Sequence, residues 1–228
     1  MTRVDNTQAF LIHRRMYQGS SLLLDFFTKD SGRLRLIARG ARKSKTSLQM
    51  FQCLSISFKG KGELKSLSQW EVDDQPRRLL GDDLILAMYA NELILRLLPE
   101  NDEYPETFNS YWAFLANLNA LDSSEKEYEL RNFENQMLED LGYGLDFSFD
   151  INDEHIKEDL QYEFIEHQGF NKNSNGAFSG KALVSLSKQE TITDPIQLTI
   201  LKKMNRKRLK SLLGDKPLKS KELFFLNR

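Results

Sequence analysis

The sequence predicts an α+β protein, with a small five-stranded barrel in residues 1–78 and a mainly α-helical domain in residues 79–228. Up to about Asp74, short runs of β-branched and aromatic residues alternate with glycine and serine, a pattern that is typical of strands. After Pro76 the apolar residues recur at helical spacing instead. Apolar residues make up 40% and charged residues 29% of the 228, which are values of a globular protein able to bury a core.

Five segments of the first domain are predicted to be strands, namely residues 7–15, 21–29, 33–39, 51–59 and 63–72. The fourth alternates most clearly, with Leu54, Ile56 and Phe58 on one face. Glycine-containing turns at residues 29–32 and 59–62 join the second strand to the third and the fourth to the fifth. So many short strands favour a closed barrel, because closure removes the exposed edges of a sheet.

Helices are predicted for residues 82–98, 107–121, 124–141 and 194–213. Asp82 or Asp83 is expected to cap the first helix, and Gly142 to end the third in the left-handed conformation that glycine favours. Pro195 suits the first turn of the last helix, because proline lacks the amide proton that this turn leaves unpaired.

Between the third and fourth helices, residues 144–180 lack a clear period and are expected to form an irregular insert. Acidic residues are mixed there with an asparagine-rich stretch at residues 171–175. A hairpin at residues 162–165 and 169–170 is the one regular element that the pattern indicates.

The charged residues are sorted into three blocks along the chain, although the formal net charge is only −1. Residues 1–78 carry 15 Lys and Arg against 7 Asp and Glu, residues 79–200 carry 7 against 24, and residues 201–228 carry 10 against 2. Repulsion within a block disfavours folding, so the pattern suggests two cationic surfaces for a polyanion and an acidic body that faces another partner. The alternative is that each run is a solvated face.

The basic segments contain the candidate contacts to nucleic acid, because cations that neutralise phosphates release counterions. In the barrel these are Arg14, Arg15, Arg33, Arg35, Arg39, Arg42, Lys43, Lys45, Lys59 and Lys61. On the last helix and the tail they are Lys203, Arg206, Lys207, Lys210, Lys216, Lys219 and Lys221. The four helical cations recur at i, i+3, i+4 and i+7, opposite a leucine stripe. No base-reading helix is evident, so contacts to the backbone with little sequence preference are expected.

Four aromatic residues of the barrel domain are candidates for stacking on bases, with core packing as the alternative for each. They are Tyr17, Phe26, Phe27 and Trp70.

No arrangement of catalytic residues is evident. His13, His155 and His167 share no metal-ligand spacing, and the single cysteine, Cys53, excludes an internal disulfide and a cysteine-rich zinc site. The sequence has neither a P-loop nor a Gly-x-Ser-x-Gly motif. Acidic residues within 150–154 leave a magnesium-dependent nuclease as a minor alternative. We therefore expect no enzyme, no cofactor and no metal site.

The most apolar segment, residues 84–98, is interrupted by Asn91, Glu92 and Arg96, and it is shorter than the roughly 20 residues that span a membrane. The first residues are polar and do not resemble a signal peptide. A soluble cytoplasmic protein that does not enter a membrane is expected.

Six short motifs, distributed over nearly the whole chain, carry a family resemblance. They are residues 21–28 (SLLLDFFT), Gly32, residues 38–42 (ARGAR), residues 60–64 (GKGEL), residues 141–144 (LGYG) and residues 216–224 (KPLKSKELF). In this combination and order they resemble the RecO family of bacterial recombination mediators.

The resemblance implies an OB-fold barrel followed by a helical domain, and a non-catalytic function at the nucleoid. Members are expected to bind single- and double-stranded DNA, to anneal complementary strands and, with RecR, to help load RecA onto DNA coated by single-strand-binding protein. Many relatives carry a four-cysteine zinc site after the Leu-Gly-Tyr motif, whereas residues 146–181 contain no cysteine here. Zinc is therefore not expected in this chain. A generic RNA- or DNA-binding barrel protein is the alternative function.

The resemblance also implies that the acidic, apolar-ended tail of single-strand-binding protein is a partner. The acidic block would repel this tail unless an isolated cation lies beside an apolar pocket. Arg131 and Phe133, on the third helix, are the candidates for this contact. The alternative for Arg131 is an ion pair with Glu127 or Glu134 on its own helix.

Overall fold

The computed structural model describes residues 2–43, 48–62 and 64–226. The chain forms two compact units, of which the first combines Met1–Asn119 with Lys216–Arg228 and the second is Ala120–Asp215. The domain boundary at residue 78 stays a prediction, since the compact units divide the chain elsewhere. The reason is that the two helices after the barrel pack against it and belong to the first unit.

The first unit is built on a closed barrel of five strands. They are β1 (Thr2–Met16), β2 (Leu22–Thr28), β3 (Gly32–Ala38), β4 (Cys53–Gly60) and β5 (Lys65–Val72), in the order β1-β2-β3-β5-β4. β3 and β5 run parallel, whereas the other paired strands run antiparallel. The predicted α+β class and the five-stranded, OB-fold-like barrel are therefore confirmed. β1 begins earlier than predicted because its first residues pair with the end of β4.

Alternating side chains of the strands fill the barrel. Leu54, Ile56 and Phe58 of β4 are buried in its core together with Phe26 of β2, as the alternation in the fourth strand predicts. Cys53 is also fully buried, and this burial raises the pKa of its thiol to about 11. The cysteine is thus a core residue with little thiolate at neutral pH.

Two helices, α1 (Gly81–Leu97) and α2 (Pro105–Asn117), complete this part of the first unit. The ring centroid of Phe10 in β1 lies 5.0 Å from that of Tyr111 and 5.4 Å from that of Phe108, both in α2. Phe27 of β2 lies 5.5 Å from Phe108. Asn91 of α1 donates a hydrogen bond to a carbonyl oxygen of β1 at 3.1 Å and accepts one from the Tyr111 hydroxyl. An aromatic layer and a buried polar contact therefore connect the helices to the barrel.

The starts of these helices differ from the prediction. Leu80 is the N-cap of α1, so Asp82 and Asp83 lie in the first turn, and the predicted capping by one of them is wrong. Carboxylates in the first turn still interact favourably with the positive end of the helix dipole. α2 begins two residues before the predicted start because Pro105 occupies its first turn.

The second unit combines helices with a small sheet. Its helices are α3 (Ser123–Leu138), α4 (Gly180–Ser187) and α5 (Pro195–Leu213), and its strands are β6 (Gln161–Ile165), β7 (Gly169–Lys172) and β8 (Phe178–Ser179). The sheet order is β7-β6-β8, so the predicted hairpin is confirmed and the expectation of an irregular segment is wrong for these residues. Gly142, with φ of 82°, adopts the predicted left-handed conformation after α3.

Apolar packing stabilises this small sheet. The ring of Phe170 lies 5.3 Å from that of Phe178 and 5.7 Å from that of Phe147, measured between centroids. Tyr162 of β6 and Leu201 of α5 are buried in the same cluster. The side chains of α5 thereby connect the sheet to the helices of the second unit. None of the helices in the described ranges is long and apolar enough to cross a membrane.

The chain end returns to the first unit as α6 (Ser220–Leu226), and two side chains of α1 hold it there. Arg96 donates to the carbonyl oxygens of Lys216 and Pro217 at 2.9 and 3.1 Å. The Glu92 carboxylate accepts from the backbone amides of Lys219 and Ser220, each at 2.9 Å. Partial burial alone raises the pKa of Glu92, but the hydrogen bonds from Ser220 and Lys219 outweigh it and lower this pKa.

We expect Glu92→Gln to reduce the free energy of unfolding by about 1–2 kcal/mol at neutral pH, because one accepting oxygen becomes an amide nitrogen and the bonds to the other oxygen become neutral. Since the folded-state pKa of Glu92 is lowered, its contribution is present above the ordinary glutamate pKa. This contribution disappears as the pH falls through the lowered value. Urea unfolding of both proteins between neutral and acidic pH measures the difference, and a gap that widens on acidification would contradict the expectation.

Candidate nucleic-acid interface

Five exposed cations surround the loops that follow β1 and β3. We call them the loop cluster: Arg14, Arg15, Arg39, Arg42 and Lys43. The backbone amide of Arg42 donates to the carbonyl oxygen of Ser20 at 3.1 Å, and its guanidinium donates to that of Gly19 at 2.8 Å. Gly19 and Gly40 have φ of 59° and 70°, a conformation that few other residues adopt without strain. These bonds and turns bring the two cationic loops next to each other.

The cations of the loop cluster keep their charge available. Arg14 donates to the carbonyl oxygen of Leu48 at 3.3 Å, and Arg42 donates to that of Gly19, so both acceptors are neutral. Among the described residues, none of the five cations forms an ion pair with a carboxylate. A phosphate group can therefore bind here without displacing an acidic side chain.

Two further predicted contacts, Lys59 and Lys61, are exposed at the turn between β4 and β5. At the start of β5, Lys65 pairs with Leu36, close to the end of β3 from which the chain enters the loop cluster. Because β3 and β5 run parallel, the turn that precedes Lys65 continues toward Arg35 and the start of β3, away from the loop cluster. The predicted contact Lys45 lies outside the described residues.

The prediction that Arg33 and Arg35 contact DNA stays a prediction, and it is weakened because both residues form ion pairs within the first unit. The Arg33 side chain is only 12% exposed and lies 3.0 Å from the Glu100 carboxylate. Arg35 donates to Asp25 at 2.9 Å and lies 3.2 Å from Glu100. Burial alone lowers the pKa of Arg35, but Asp25 and Glu100 together raise it. The pairing of β2 with β3, which places Asp25 opposite Arg35, is the structural reason.

Two of the four aromatic candidates for base stacking are buried, and two are partly exposed. Phe26 and Phe27 are fully buried, so their predicted contact with bases is wrong and the core alternative is right. Tyr17 and Trp70 are half-buried, and stacking by these two stays a prediction.

A second set of exposed cations lies on α5. We call them the α5 stripe: Lys203, Arg206, Lys207 and Lys210. The opposite face of the helix is buried and contains Leu198, Leu201 and Leu209. Lys207 lies 2.8 Å from the Glu166 carboxylate, and this hydrogen bond lowers the pKa of Glu166. Part of the charge of the α5 stripe is therefore compensated within the second unit. Lys216, Lys219 and Lys221 are exposed as well, but they belong to the first unit. The basic block at the chain end is thus shared between two units.

The structure does not support the predicted partner contact at Arg131 and Phe133, because both side chains are buried inside the second unit. Arg131 is 2% exposed and Phe133 is fully buried. The Arg131 guanidinium lies 2.9 Å from the carboxylate of Glu134 and 3.5 Å from that of Glu127. The alternative of an ion pair on the same helix is confirmed. An acidic tail cannot reach this cation while α3 and α5 remain packed.

A buried cation that the sequence patterns did not single out is Arg208 of α5. Its guanidinium donates to the carbonyl oxygen of Tyr143 and, at 3.3 Å, to the side chains of Asn135 and Asn205. Burial lowers the pKa of Arg208 to about 10. The residue lines a cavity of about 420 Å³ beside the Leu-Gly-Tyr-Gly motif. Its position seven residues after the buried Leu201, on the same face of α5, is the signal in the sequence that indicates its burial.

The acidic residues within 150–154, which suggested a metal-dependent nuclease, belong to a turn that the Asp150 carboxylate stabilises. One oxygen of Asp150 accepts from the backbone amides of Asn152 and Glu154 at 2.8 and 3.1 Å. Within the described residues, no group of three His, Cys, Asp or Glu side chains is arranged to hold a metal ion.

Comparison with known proteins covers nearly the whole chain. Residues 1–75 match the family described as Recombination protein O N terminal, and residues 80–220 match Recombination protein O C terminal. A protein of Pseudoalteromonas translucida is 38% identical over 226 residues, which are 96% of this chain and 97% of the relative. A protein of Coxiella burnetii is 38% identical over 98% of this chain and 99% of its own, and one of Aliivibrio fischeri is 37% identical over 95% and 94%. All three are named DNA repair protein RecO.

Proposed function

The chain belongs to the RecO family of DNA repair and recombination proteins, and on that premise we propose that it is a non-catalytic recombination mediator. In this proposal it binds single- and double-stranded DNA and anneals complementary strands. With RecR, it helps to load RecA onto DNA coated by single-strand-binding protein. The protein would then act at the nucleoid, in the cytoplasm.

The observation that carries the proposal is the loop cluster. Five exposed cations without a carboxylate partner in the described chain lie at the end of β1 and on the loop that follows β3, and phosphates are the anions that such a surface attracts. Backbone contacts of this kind position a nucleic acid without reading its sequence. An annealing protein has to bind strands of any sequence, and the bases of the strand have to remain free to pair.

The partners RecR and single-strand-binding protein, and the indirect partner RecA, are part of the proposal through the family. The burial of Arg131 removes the surface first expected to bind the tail of single-strand-binding protein. Binding of the tail remains proposed, at a surface of the protein other than Arg131 and Phe133.

The experiment that tests the proposal is a salt titration of strand annealing, with and without the tail peptide of single-strand-binding protein. We expect annealing to slow steeply as salt rises. The Lys and Arg side chains release counterions from DNA when they bind phosphates, and added salt opposes this release. We also expect the peptide to bind the protein, which a generic nucleic-acid-binding barrel protein would not do. Annealing that is insensitive to salt would contradict DNA binding through cations, and a tighter complex with RNA would favour the alternative function.

The α5 stripe is proposed as a second contact to DNA. Replacing Lys203, Arg206 and Lys210 by Ala is expected to reduce DNA affinity about fivefold to tenfold at low salt, through the loss of phosphate contacts. Lys207 is left in place because Glu166 already compensates its charge. The matched control replaces three exposed cations elsewhere in the second unit, Lys157, Lys172 and Lys181. If both triple variants bind labelled DNA equally in fluorescence anisotropy, the stripe is a solvated face.

A further inference from the structure

The cavity beside Arg208 lies within the second unit and is formed almost entirely by one stretch of the chain. Of its lining residues, all except Arg208 and Ser211 belong to residues 142–169. Its volume of about 420 Å³ falls in the range of roughly 300–1,000 Å³ that is typical of ligand sites. No residue of the loop cluster or of the α5 stripe lines it, so the proposed contacts to DNA leave this cavity unused.

Aromatic and aliphatic side chains form the apolar part of the cavity wall. Phe149 and Phe164 are half-buried there, whereas Tyr143 and Ile151 are 48% and 37% exposed. Backbone bonds fix both exposed residues. The Ile151 amide donates to a carbonyl oxygen of β7 at 2.9 Å, and the Tyr143 carbonyl oxygen accepts from Arg208. Two large apolar side chains at one cavity therefore remain accessible to an apolar group of a partner.

The polar part of the wall is mainly acidic. Four carboxylates line the cavity together with one guanidinium, and they belong to Asp146, Asp150, Asp153 and Glu166. Of the four, Glu166 forms an ion pair, with Lys207, and the three aspartates form none within the described residues. Residues 139–169 contain ten Asp and Glu against one Lys. The cavity thus lies in a field that attracts cations.

Asp150 buries one of these charges in the cavity wall. The residue is 8% exposed, and its oxygen Oδ1 accepts from the amides of Asn152 and Glu154. Among the described residues, no donor bonds to its other oxygen. A carboxylate oxygen of this kind suits an ammonium or guanidinium group, because charge-assisted hydrogen bonds are the strong ones. The long stem of a Lys or Arg side chain is apolar and can pack against the aromatic wall.

We propose that this cavity is the docking site for a basic segment of a partner protein. An apolar side chain of the segment contacts Tyr143 and Ile151, and the Lys or Arg residues that flank it bind the aspartates. An acidic segment would be repelled by the same charges. The basic end of the chain itself is held on α1 by Glu92 and Arg96, so it is not free to dock, in this copy or in a second one. The inference goes beyond the proposed function, since this contact does not involve DNA.

The test uses the full chain and a labelled peptide in which lysines flank a central leucine, measured by fluorescence anisotropy. Asp146→Asn with Asp153→Asn is expected to weaken binding about fivefold to tenfold at low salt, through the loss of two charge contacts. Asparagine still accepts from the backbone amide that Asp146 bonds, and it tolerates the φ of 60° at Asp153. The matched control is Glu158→Gln with Asp159→Asn, which removes the same charge at exposed positions outside the cavity.

The apolar contact is tested separately by Ile151→Ser. We expect this variant to weaken binding about threefold to tenfold at every salt concentration, because apolar area is no longer buried. Its control is Ile196→Ser, at a residue that is 68% exposed on α5 and lies outside the cavity. The thermal unfolding temperature should be the same for all variants. A measurement on the wild type alone uses a peptide with serine in place of the central leucine, which should bind more weakly.

Equal losses for the charge variant and its control would indicate diffuse attraction to an acidic surface and would overturn the inference. Tighter binding of a peptide with glutamates in place of the lysines would also overturn it, because the cavity would then serve an acidic segment through Arg208. A wild-type dimer that Asp146→Asn with Asp153→Asn dissociates in sedimentation velocity would make the occupant a second copy, contrary to the proposal. None of these results bears on the proposed DNA binding, which the salt titration of annealing tests by itself.

Discussion

Replacing Arg42 and Lys43 together by Ala is expected to weaken binding to single-stranded DNA by about tenfold at low salt. Both side chains are exposed and lack a carboxylate partner among the described residues, so their full charge is available to phosphates. Each lost phosphate contact lowers the slope of log affinity against log salt by about 0.7 for a single strand. The double variant should therefore reduce the slope by about 1.4. Anisotropy titrations over a series of salt concentrations measure both quantities.

The control for this prediction removes the same charge elsewhere, through Lys157→Ala with Lys181→Ala, two exposed residues of the second unit. Because Arg42 also bonds to Gly19, its loss could alter the loop itself. Arg15→Ala with Arg39→Ala removes two cluster charges without that bond and should lower the slope by the same amount. Salt slopes that are identical in the wild type and in both cluster variants would show that the loop cluster does not bind phosphates.

The barrel was predictable because its determinants are local. Alternation places Leu54, Ile56 and Phe58 in the core, and glycine turns separate the strands. The closure of the sheet was inferred from the number of short strands alone. The parallel pairing of β3 with β5 is a property of the closed barrel that no local pattern encodes.

Whether a given cation is exposed or forms an ion pair was not predictable, because this depends on partners that are distant in sequence. Arg33 and Arg39 lie in the same basic segment, yet Arg33 pairs with Glu100, which is 67 residues away, and Arg39 is exposed. Nothing in the sequence around Arg33 shows that α1 ends beside β3. Charge counts therefore identified the basic surface but not which of its members are free to bind DNA.

In the second unit, too, the features set by local sequence were predictable and those set by distant pairing were not. Gly142 and the hairpin of β6 and β7 follow from local preferences and were predicted. β8 is only two residues long, Phe178–Ser179, and it becomes a strand by pairing with β6. A segment this short has no recognisable period, so the third strand of the sheet was not predictable from the sequence.

Replacing Arg131 by Ala is expected to lower the free energy of unfolding by about 3–5 kcal/mol, because it breaks the ion pair with the buried Glu134 carboxylate. Glu134 is fully buried, lies 2.9 Å from the Arg131 guanidinium and accepts a hydrogen bond from Asn205 at 3.1 Å. The Asn205 amide is neutral, and Arg208, whose pKa burial lowers and the Glu134 charge raises, is held by contacts of its own with Tyr143 and Asn135. Urea unfolding of the full chain, followed by circular dichroism, measures the loss.

Two variants separate the loss of charge pairing from the loss of packing. Arg131→Met with Glu134→Leu removes both charges and should recover most of the lost stability, since a buried pair replaced by apolar residues is often neutral. Asn132→Ala, at an exposed neighbouring position on α3, should change stability by less than about 0.5 kcal/mol. A loss below about 1 kcal/mol for Arg131→Ala, together with loss of binding to the tail peptide, would mean that Arg131 is accessible in solution. That result would restore Arg131 as a partner contact and contradict its role as half of a buried ion pair.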